Sequence, residues 1–368
     1  MKTFPSSTLC LAAAGLCLTL FSGCLVSEKP DDAKGSPADS AWSGKTLDSI
    51  QYAVQLLMYN GRLVVANRSS SKPGIALVDT ATGKISAYYA ELLPPSAMAL
   101  TQDNRLIITE TNYTTQGAVS VLHLSAGLIQ KSVLTFGSDN TLAAADDKIF
   151  LLDRKTGVVT GFTGHSPNQS VVLNVQTGAV SNPYGVALSN NLAFIPRYDS
   201  KSLLVLDATK LDGGVRDSID LSQYSSHHPA DTAALVPRMF AVTAYNGYVF
   251  VALQRLNYQY SALDTSLIVV INVATKQIAS TIPLHFKNPI SAHAAGSAWY
   301  LSSIAGYGDV SGGVEKIDLS QRIHGGDVIS EQTLAADVFD FVPAGDHSGY
   351  VAYSTDYGYT TRVKKISY

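Results

Sequence analysis

A motif that recurs seven times limits this chain of 368 residues to folds built from repeats. Each copy is a polar two-residue turn, such as Asn60-Gly61 or Asp103-Asn104, followed by a run of apolar or aromatic residues. Asn, Asp and Gly tolerate a positive φ, so these pairs favour tight hairpin turns between strands. The copies are anchored, at intervals of 43, 43, 44, 56, 50 and 51 residues, at Leu63, Leu106, Ile149, Ala193, Val249, Trp299 and Tyr350. Spacing of this kind is typical of a repeat architecture.

A second apolar motif follows each copy of the first, after a stretch of variable length. It is found at Ala76–Asp79, Val121–His123, Val172–Asn174, Val205–Asp207, Val270–Asn272, Lys316–Asp318 and Lys365–Ser367. Each unit therefore contains an inner strand, a tight turn, a buried second strand, a variable loop, a third strand, another turn and an outer strand. Four antiparallel strands in one such unit form a propeller blade. The sequence predicts an all-β fold, a seven-bladed β-propeller with four-stranded antiparallel blades. Two domains that divide near residue 225 are the alternative.

The seventh unit needs an outer strand from elsewhere in the chain, because its third strand runs to the end of the sequence. Residues Thr46 to Ala53, just before the first unit, can supply it. Such pairing would remove an exposed sheet edge and lock the ring. We therefore expect the N-terminal segment to pair with the C-terminal blade, and the propeller to fill residues 45–368.

The N-terminal residues predict export and lipid attachment. Lys2 precedes an apolar run from Leu9 to Phe21, which is long enough for a signal peptide and too short to span a bilayer. The run ends in Leu20-Phe21-Ser22-Gly23-Cys24, which resembles a bacterial lipobox. The resemblance implies that residues 1–23 are removed and that Cys24 carries diacylglycerol and a further acyl chain such as palmitate. An ordinary signal peptide cleaved nearby is the alternative.

The next segment, residues 24–44, predicts a flexible tether between the lipid and the propeller. It is rich in Ser, Pro, Ala, Asp and Gly and has no periodicity. We expect the protein in the bacterial cell envelope, at the outer membrane on its periplasmic or surface-exposed face, with the lipid as its contact with the membrane. All three cysteines precede residue 25. The propeller therefore cannot form an internal disulfide or a thiolate metal site.

The repeats resemble those of YncE-like, or YVTN-type, propellers. The resemblance is carried by Asn-Pro-Tyr-Gly-Val-Ala-Leu at 182–188 and Ser-Leu-Leu-Val-Leu-Asp-Ala-Thr at 202–209, and its architecture covers residues 46–368. The Gly-His and Trp-Asp pairs of WD40 blades do not recur from repeat to repeat. The YncE-like family includes surface lipoproteins, some of which capture cobalamin, and distant seven-bladed relatives are lactonases. The resemblance implies a fold and permits several functions.

We expect the functional site on one face of the ring, where the loops between second and third strands meet the loops that lead into the inner strands. Three of the former are predicted to be long, at Arg154–Ser170, Gln254–Ser266 and Ser303–Gly313. A mixture of Arg, carboxylate and Tyr at this opening suits a polar ligand with a flat or apolar surface. The alternative is that these side chains pair with each other and with trapped water. The predicted ligand-binding residues are Asn67, Glu110, Asp153, Tyr184, Arg197, Arg238, Gln254, Arg255, Tyr258 and Tyr307.

Three functions are compatible with these patterns. The first, which we favour, is a binding protein without catalysis that holds a small polar ligand or an envelope protein, such as a TonB-dependent transporter. The second is a metal-dependent lactonase-type hydrolase in which Glu110, Asp153 and Asn67 surround a divalent ion such as Ca²⁺. The third is a scaffold for protein assembly in the envelope. Motifs of serine hydrolases, zinc proteases and P-loops are missing from the sequence, and a net charge of −3 gives no basic excess for nucleic acid. We therefore expect no cofactor for the favoured function.

Overall fold

The computed structural model describes residues 46–47, 50–163, 171–226, 236–257, 259–262 and 264–368. The predicted signal peptide and tether lie outside this part, so the lipidation of Cys24 stays a prediction. Within these ranges, the chain forms no helix with the length and apolar character that a membrane crossing needs.

Seven antiparallel sheets make up almost all the regular structure, and the strands of each sheet lie in sequence order. Blades 1 and 2 contain β1 (Ala53–Tyr59), β2 (Arg62–Asn67), β3 (Gly74–Asp79), β4 (Lys84–Ala90), β5 (Pro95–Leu100), β6 (Arg105–Thr111), β7 (Gly117–His123) and β8 (Leu128–Phe136). Blades 3 and 4 contain β9 (Asn140–Ala145), β10 (Lys148–Asp153), β11 (Val158–Thr163), β12 (Val171–Gln176), β13 (Ala187–Ser189), β14 (Leu192–Ile195), β15 (Ser202–Asp207) and β16 (Val215–Asp220).

Blades 5 and 6 contain β17 (Met239–Tyr245), β18 (Tyr248–Leu253), β19 (Leu267–Asn272), β20 (Ile278–Pro283), β21 (Pro289–Ala295), β22 (Ala298–Ser303), β23 (Gly313–Asp318) and β24 (Ile323–Ser330). Blade 7 contains β25 (Asp337–Pro343), β26 (Ser348–Ser354) and β27 (Arg362–Ser367). The described helices are a 3₁₀ turn at Ser222–Tyr224 and α1 (Glu331–Leu334). The predicted seven-bladed propeller is confirmed.

The blades pack on one another without a break at residue 225. One apolar cluster joins Phe150 of blade 3 to Ala193 of blade 4. Another joins Phe194 and Val205 of blade 4 to Val249 of blade 5. Because blades on both sides of residue 225 share a core, the alternative of two separate domains is wrong.

The recurring polar pairs form the turns that the sequence predicts. Asn60 and Gly61 have φ values of 45° and 69°, and Asn190 and Asn191 have values of 52° and 61°. Positive φ at both central residues is the mark of a type I′ hairpin, whose twist matches that of the flanking strands. These turns connect first to second strands on the side of the ring opposite the long loops.

The loop between the second and third strands of blade 3 is shorter than the sequence predicts. The long loop expected at Arg154–Ser170 is wrong, because β11 begins at Val158 and leaves only residues 154–157 between the strands. Asp153 Oδ1 holds this tight turn by accepting the N–H groups of Lys155 and Thr156 at 3.1 and 2.9 Å. Val172–Asn174 has the pattern of a third strand but lies in the fourth, β12.

The N-terminal segment closes the ring, as predicted. Thr46 forms an antiparallel bridge with Lys364 on β27, and Tyr52 bridges Thr361. Leu47 N–H donates to Val363 O at 2.8 Å, and Thr361 N–H donates to Gln51 O at 2.8 Å. Blade 7 therefore takes its outer edge from the start of the chain.

Polar side chains on the inner strands also join neighbouring blades. Asp340 of blade 7 accepts the N–H of Leu56 in blade 1 at 2.6 Å and lies 2.7 Å from His293 Nε2 in blade 6. Ser291 Oγ of blade 6 donates to the same carboxylate. Asp340 is fully buried, so these bonds replace its hydration.

Candidate functional site

One side of the ring carries the loops between second and third strands, together with the segments that lead into the inner strands. We call this side the loop face. These loops share one side because the strands within each blade are antiparallel and all second strands end on the same side of the ring. Its second-to-third loops are residues 68–73, 112–116, 154–157, 196–201, 254–266, 304–312 and 355–361.

In the part of the chain that the structure describes, the exposed tyrosines lie on the loop face. Within the described residues, the tyrosines classed as exposed number five, and their side chains are 39 to 74% accessible. Every one of them lies in a second-to-third loop: Tyr113, Tyr260, Tyr307, Tyr357 and Tyr359. The exposed apolar residues Leu128, Leu211 and Ile323 lie on the opposite side, at or next to the turns between third and fourth strands.

Arginines and tyrosines pack against one another in a row along the loop face from blade 1 to blade 5. The guanidinium of Arg154 lies 5.0 Å from the ring centre of Tyr184, which stacks on Tyr198 at 4.9 Å. Arg238 then lies 5.1 Å from the ring of Tyr198 and 4.7 Å from that of Tyr260. Contacts of this length are favourable cation–π and stacking interactions.

The row continues into blades 1 and 2. Arg68 lies 5.5 Å from the ring centre of Tyr113 and donates to its hydroxyl at 2.9 Å. Tyr113 also interacts electrostatically with Arg154. We call the seven residues the arginine–tyrosine arc: Arg68, Tyr113, Arg154, Tyr184, Tyr198, Arg238 and Tyr260.

The middle of the arc is buried and tightly bonded. Four of its members, Arg154, Tyr184, Tyr198 and Arg238, are only 3 to 8% exposed. Arg154 pairs with Asp139 and donates to the Tyr184 hydroxyl at 2.7 Å. Burial by itself lowers the pKa of Arg154, but its interactions with Tyr184 and Asp139 outweigh that effect, so the guanidinium stays charged. Burial also raises the pKa of Tyr198 well above its usual value, so this ring stays neutral.

The second half of the arc is anchored in the same way. Arg238 pairs with Asp199, which also accepts the Asn182 side-chain amide at 3.0 Å. The hydroxyl of Tyr198 donates to Gln254 Oε1 at 2.6 Å, and Gln254 Nε2 donates to Pro289 O at 2.7 Å. Buried charges in proteins need partners of this kind. The arc is therefore a rigid platform with a tyrosine exposed near each end.

Irregular backbone in blade 4 places the two central tyrosines. Its inner strand β13 has three residues, and the segment before it contains Pro183, which has no N–H to give to a ladder. Tyr184 N–H bonds Pro196 O at 3.0 Å, and Tyr198 N–H bonds Asn182 O at 2.9 Å. These bonds bring both rings to the same side of the blade.

Some of the predicted site residues lie together in the structure, and others form hydrogen bonds with backbone groups near them. Tyr184, Arg238 and Gln254 belong to the arc or contact it. Arg197 donates to Thr177 O at 2.9 Å and to Ser202, and Arg255 donates to Tyr224 O at 2.9 Å and Thr265 O at 2.8 Å. Arg197 and Arg255 therefore bind backbone carbonyl groups of nearby segments and are not directed at the opening. Tyr258 lies outside the described residues.

The three residues of the metal hypothesis each have separate partners. Asn67 Nδ2 donates to Lys72 O and to the Tyr88 hydroxyl, and Glu110 accepts the N–H of Leu93 at 2.7 Å. Burial raises the pKa of Glu110. In the described part of the chain, the His, Cys, Asp and Glu side chains form no group of three arranged to hold a metal ion. The metal-dependent alternative therefore gains no support from this geometry.

A second aromatic group lies on blades 6 and 7. The predicted site residue Tyr307 packs on Phe339, with ring centres 6.2 Å apart. The ring of Tyr357 lies directly against Gly308, which leaves no space for a side chain there. Gly308 N–H donates to both carboxylate oxygens of Asp337, at 2.9 and 3.1 Å. Loops of two adjacent blades thus support one aromatic surface.

Several residues of the site were not singled out in the sequence. Arg154 and Tyr198 follow the ends of second strands, one position after the expected Asp153 and Arg197. Tyr113 lies three positions after Glu110, in a loop that spacing alone does not distinguish. The signal that could have indicated Tyr198 is the pair Tyr198-Asp199, which follows the second strand of blade 4.

Comparisons with known proteins support the fold. No protein-family model matches the chain, and no curated protein matches its sequence. The WD40 propeller domain of Doa1 is similar, with a TM-score of 0.57 and 12% identity over 88% of this chain and 97% of that one. Saccharomyces cerevisiae Sqt1 has a TM-score of 0.52 and 9% sequence identity, and the match covers 84% of this chain and 82% of that one. The computationally designed Ika8 protein has a TM-score of 0.52 and 12% sequence identity, and the match covers 86% of this chain and 96% of that one. Identities this low show the propeller fold alone, and the YncE-like resemblance stays a prediction.

Proposed function

We propose that this protein is a binding protein of the bacterial envelope, anchored through Cys24, whose loop face holds a ligand or partner without catalysis. The observation that supports this proposal best is that the exposed tyrosines among the described residues all lie on that face. A tyrosine offers a large rigid ring and a hydroxyl at low entropic cost, which is why binding surfaces are enriched in it.

Three of the exposed tyrosines also have a left-handed backbone conformation. Tyr113, Tyr260 and Tyr357 have φ values of 61°, 60° and 59°. Residues with a bulky side chain rarely adopt this left-handed region, and each such residue costs on the order of 1–3 kcal/mol. Strain of this kind is concentrated at functional sites because the surrounding structure must maintain it.

The carboxylates around these tyrosines favour binding over catalysis. Glu110 and Asp337 accept backbone N–H groups, and Asp139 and Asp199 pair with buried arginines. A general acid or base needs access to substrate and a pKa matched to its task. Side chains already committed to structural bonds are better suited to shape a contact surface.

Hydroxyl-radical footprinting read by mass spectrometry tests the proposal on intact cells and on the purified full chain. We expect the five exposed tyrosines to be labelled less on cells than in the purified protein, because an occupant covers them. Leu128, Leu211 and Ile323, on the opposite side, serve as the internal reference and should show equal labelling.

A Cys24→Ser variant, which cannot be lipidated, separates anchoring from binding. It should no longer incorporate labelled palmitate, and the fraction of it that leaves the membrane should lose the protection of its tyrosines. Equal labelling of all five tyrosines in cells and in the purified chain would refute the binding surface. Equal incorporation of labelled palmitate into Cys24→Ser and the parent chain would refute the lipid anchor.

A further inference from the structure

The outer surface of the arginine–tyrosine arc combines balanced charge with exposed aromatic rings. Asp139 and Asp199 have side chains that are 43% and 35% exposed, and the arginines that they pair with lie beneath them. Each carboxylate is thus neutralised and held in place by a buried guanidinium. The surface presents fixed hydrogen-bond acceptors without a net local charge, which a ligand with hydroxyl donors can use.

Tyr113 and Tyr260 bracket these carboxylates. Their side chains are 41% and 48% exposed, and each ring has an arginine against it, Arg68 for Tyr113 and Arg238 for Tyr260. An arginine on one side fixes the ring while leaving part of its surface open. Such rings provide flat apolar contacts for the C–H faces of a ligand.

Two side chains beneath this surface each carry a buried polar atom without a hydrogen-bond partner among the described residues. Arg238 is 8% exposed, and its Nε has no hydrogen-bond partner among the described residues. The side-chain oxygen of Asn182, whose amide bonds Asp199, is also without a partner within the described part. Buried groups of this kind are rare in folded proteins and need an explanation.

We propose that the arc is a subsite for a neutral oligosaccharide. The sugar rings stack on Tyr113 and Tyr260, and hydroxyl groups donate to Asp139 and Asp199. The proposal rests on the proposed function, since it names the ligand class of the same loop face. An extended ligand fits because the arc follows five adjacent blades, from blade 1 to blade 5, with Tyr113 on blade 2 and Tyr260 on blade 5.

Charge separates this ligand from other polar molecules. An anionic ligand would meet two exposed carboxylates, while the buried arginines already hold acidic partners. A cation would compete with the arginines for the same carboxylates and would gain little from a surface without net charge. A neutral polyol avoids both costs and uses the acceptors and the rings together.

The test is binding of the detergent-solubilised full chain, in a detergent without a sugar headgroup, to a printed array. The array carries neutral oligosaccharides of glucose, galactose, mannose and N-acetylglucosamine beside sulfated and sialylated ones. We expect binding to at least one neutral oligosaccharide. Calorimetric titration with that sugar should show a Kd raised roughly fivefold to tenfold by Tyr260→Ala.

Two further variants distinguish a stacking role from a structural one. Tyr260→Phe keeps the ring and should retain most of the affinity. Leu128→Ala removes a 65% exposed side chain on the opposite side of the ring and should leave the Kd unchanged. Binding to acidic glycans alone, an array without any signal, or equal losses in Tyr260→Ala and Leu128→Ala would each overturn the saccharide subsite. Tyrosine protection on cells together with an empty array would retain the binding surface and reject its sugar ligand.

Discussion

Single buried carboxylates hold the loop face together by accepting backbone N–H groups. Glu331, at the start of α1, is fully buried and accepts the N–H of Gly312 at 2.7 Å and that of Val338 at 2.8 Å. Burial still raises the pKa of Glu331 to about 8, because the loss of hydration outweighs these two bonds. Glu315 in blade 6 is a second case, with a pKa that burial raises to about 7.

These pKa values predict that stability falls as the solution becomes alkaline. A pKa of about 8 in the folded state, against an ordinary value of 4.5, means that folding favours the protonated carboxyl. Its contribution is complete below pH 4.5 and is lost as the pH rises through 8. We expect urea denaturation to show a decrease in the free energy of unfolding from pH 6 to pH 9. The decrease should be smaller in Glu331→Gln, whose side chain does not titrate.

The control for this residue is Glu91→Gln. Glu91 is exposed, and its hydrogen bond and ion pair with Lys131 at 2.6 Å lower its pKa, so it does not titrate between pH 6 and pH 9. This variant should keep the slope of the parent protein. If Glu331→Gln also kept that slope, a different group would be responsible for the alkaline loss.

At the scale of the strand, a glycine begins the third strand in blades 1, 2 and 6. These residues are Gly74, Gly117 and Gly313, and a Cβ at each would overlap a carbonyl oxygen of the neighbouring segment: Tyr89 O, Gly137 O and Ile329 O. The third and fourth strands therefore approach closely at the loop face. None of these glycines requires a positive φ, so the lack of a side chain is their role.

Substitution of one of these glycines should separate the two strands. Gly117→Ala places a methyl group against backbone and against the side chains of Asn140 and Phe136. We expect a loss of about 2–3 kcal/mol, as for an overpacked core. Gly61→Ala is the control without overlap, because Gly61 has open space around it and its loss of about 1–2 kcal/mol comes from its φ of 69° alone. Equal losses in urea titrations of the two variants would contradict the steric explanation.

Elements that are encoded by a few consecutive residues are the ones that the sequence predicts. The hairpin at Asn60-Gly61 and the strand after it are recognisable because turn chemistry and apolar runs are local. The third strand of blade 3, Val158–Thr163, lacks the recurring motif and is missed. Spacing also places Tyr184 and Arg238 at the opening. It cannot show that Arg154 stacks on Tyr184, because that contact depends on how blades 3 and 4 pack.

At the scale of the whole molecule, the two ends of the chain meet between blades 7 and 1, and this junction closes the ring. Asp340 links blades 6, 7 and 1 through Ser291, His293 and Leu56. The segment around Leu47 supplies the outer edge of blade 7. A closed sheet arrangement removes exposed edges, and this junction is the step that closes it.

Loss of the N-terminal edge should therefore weaken the entire ring. Deletion of residues 46–52 removes the partner of β27 and the buried side chains of Leu47 and Ile50. Burial of the two side chains contributes about 3–6 kcal/mol, so the Tm should fall by several degrees, and the exposed edge of β27 should promote association. Deletion of seven residues from the predicted tether, 28–34, is the matched control and should leave both unchanged. Calorimetry and light scattering measure the two effects, and equal Tm values for the two deletions would show that the ring is stable without its N-terminal strand.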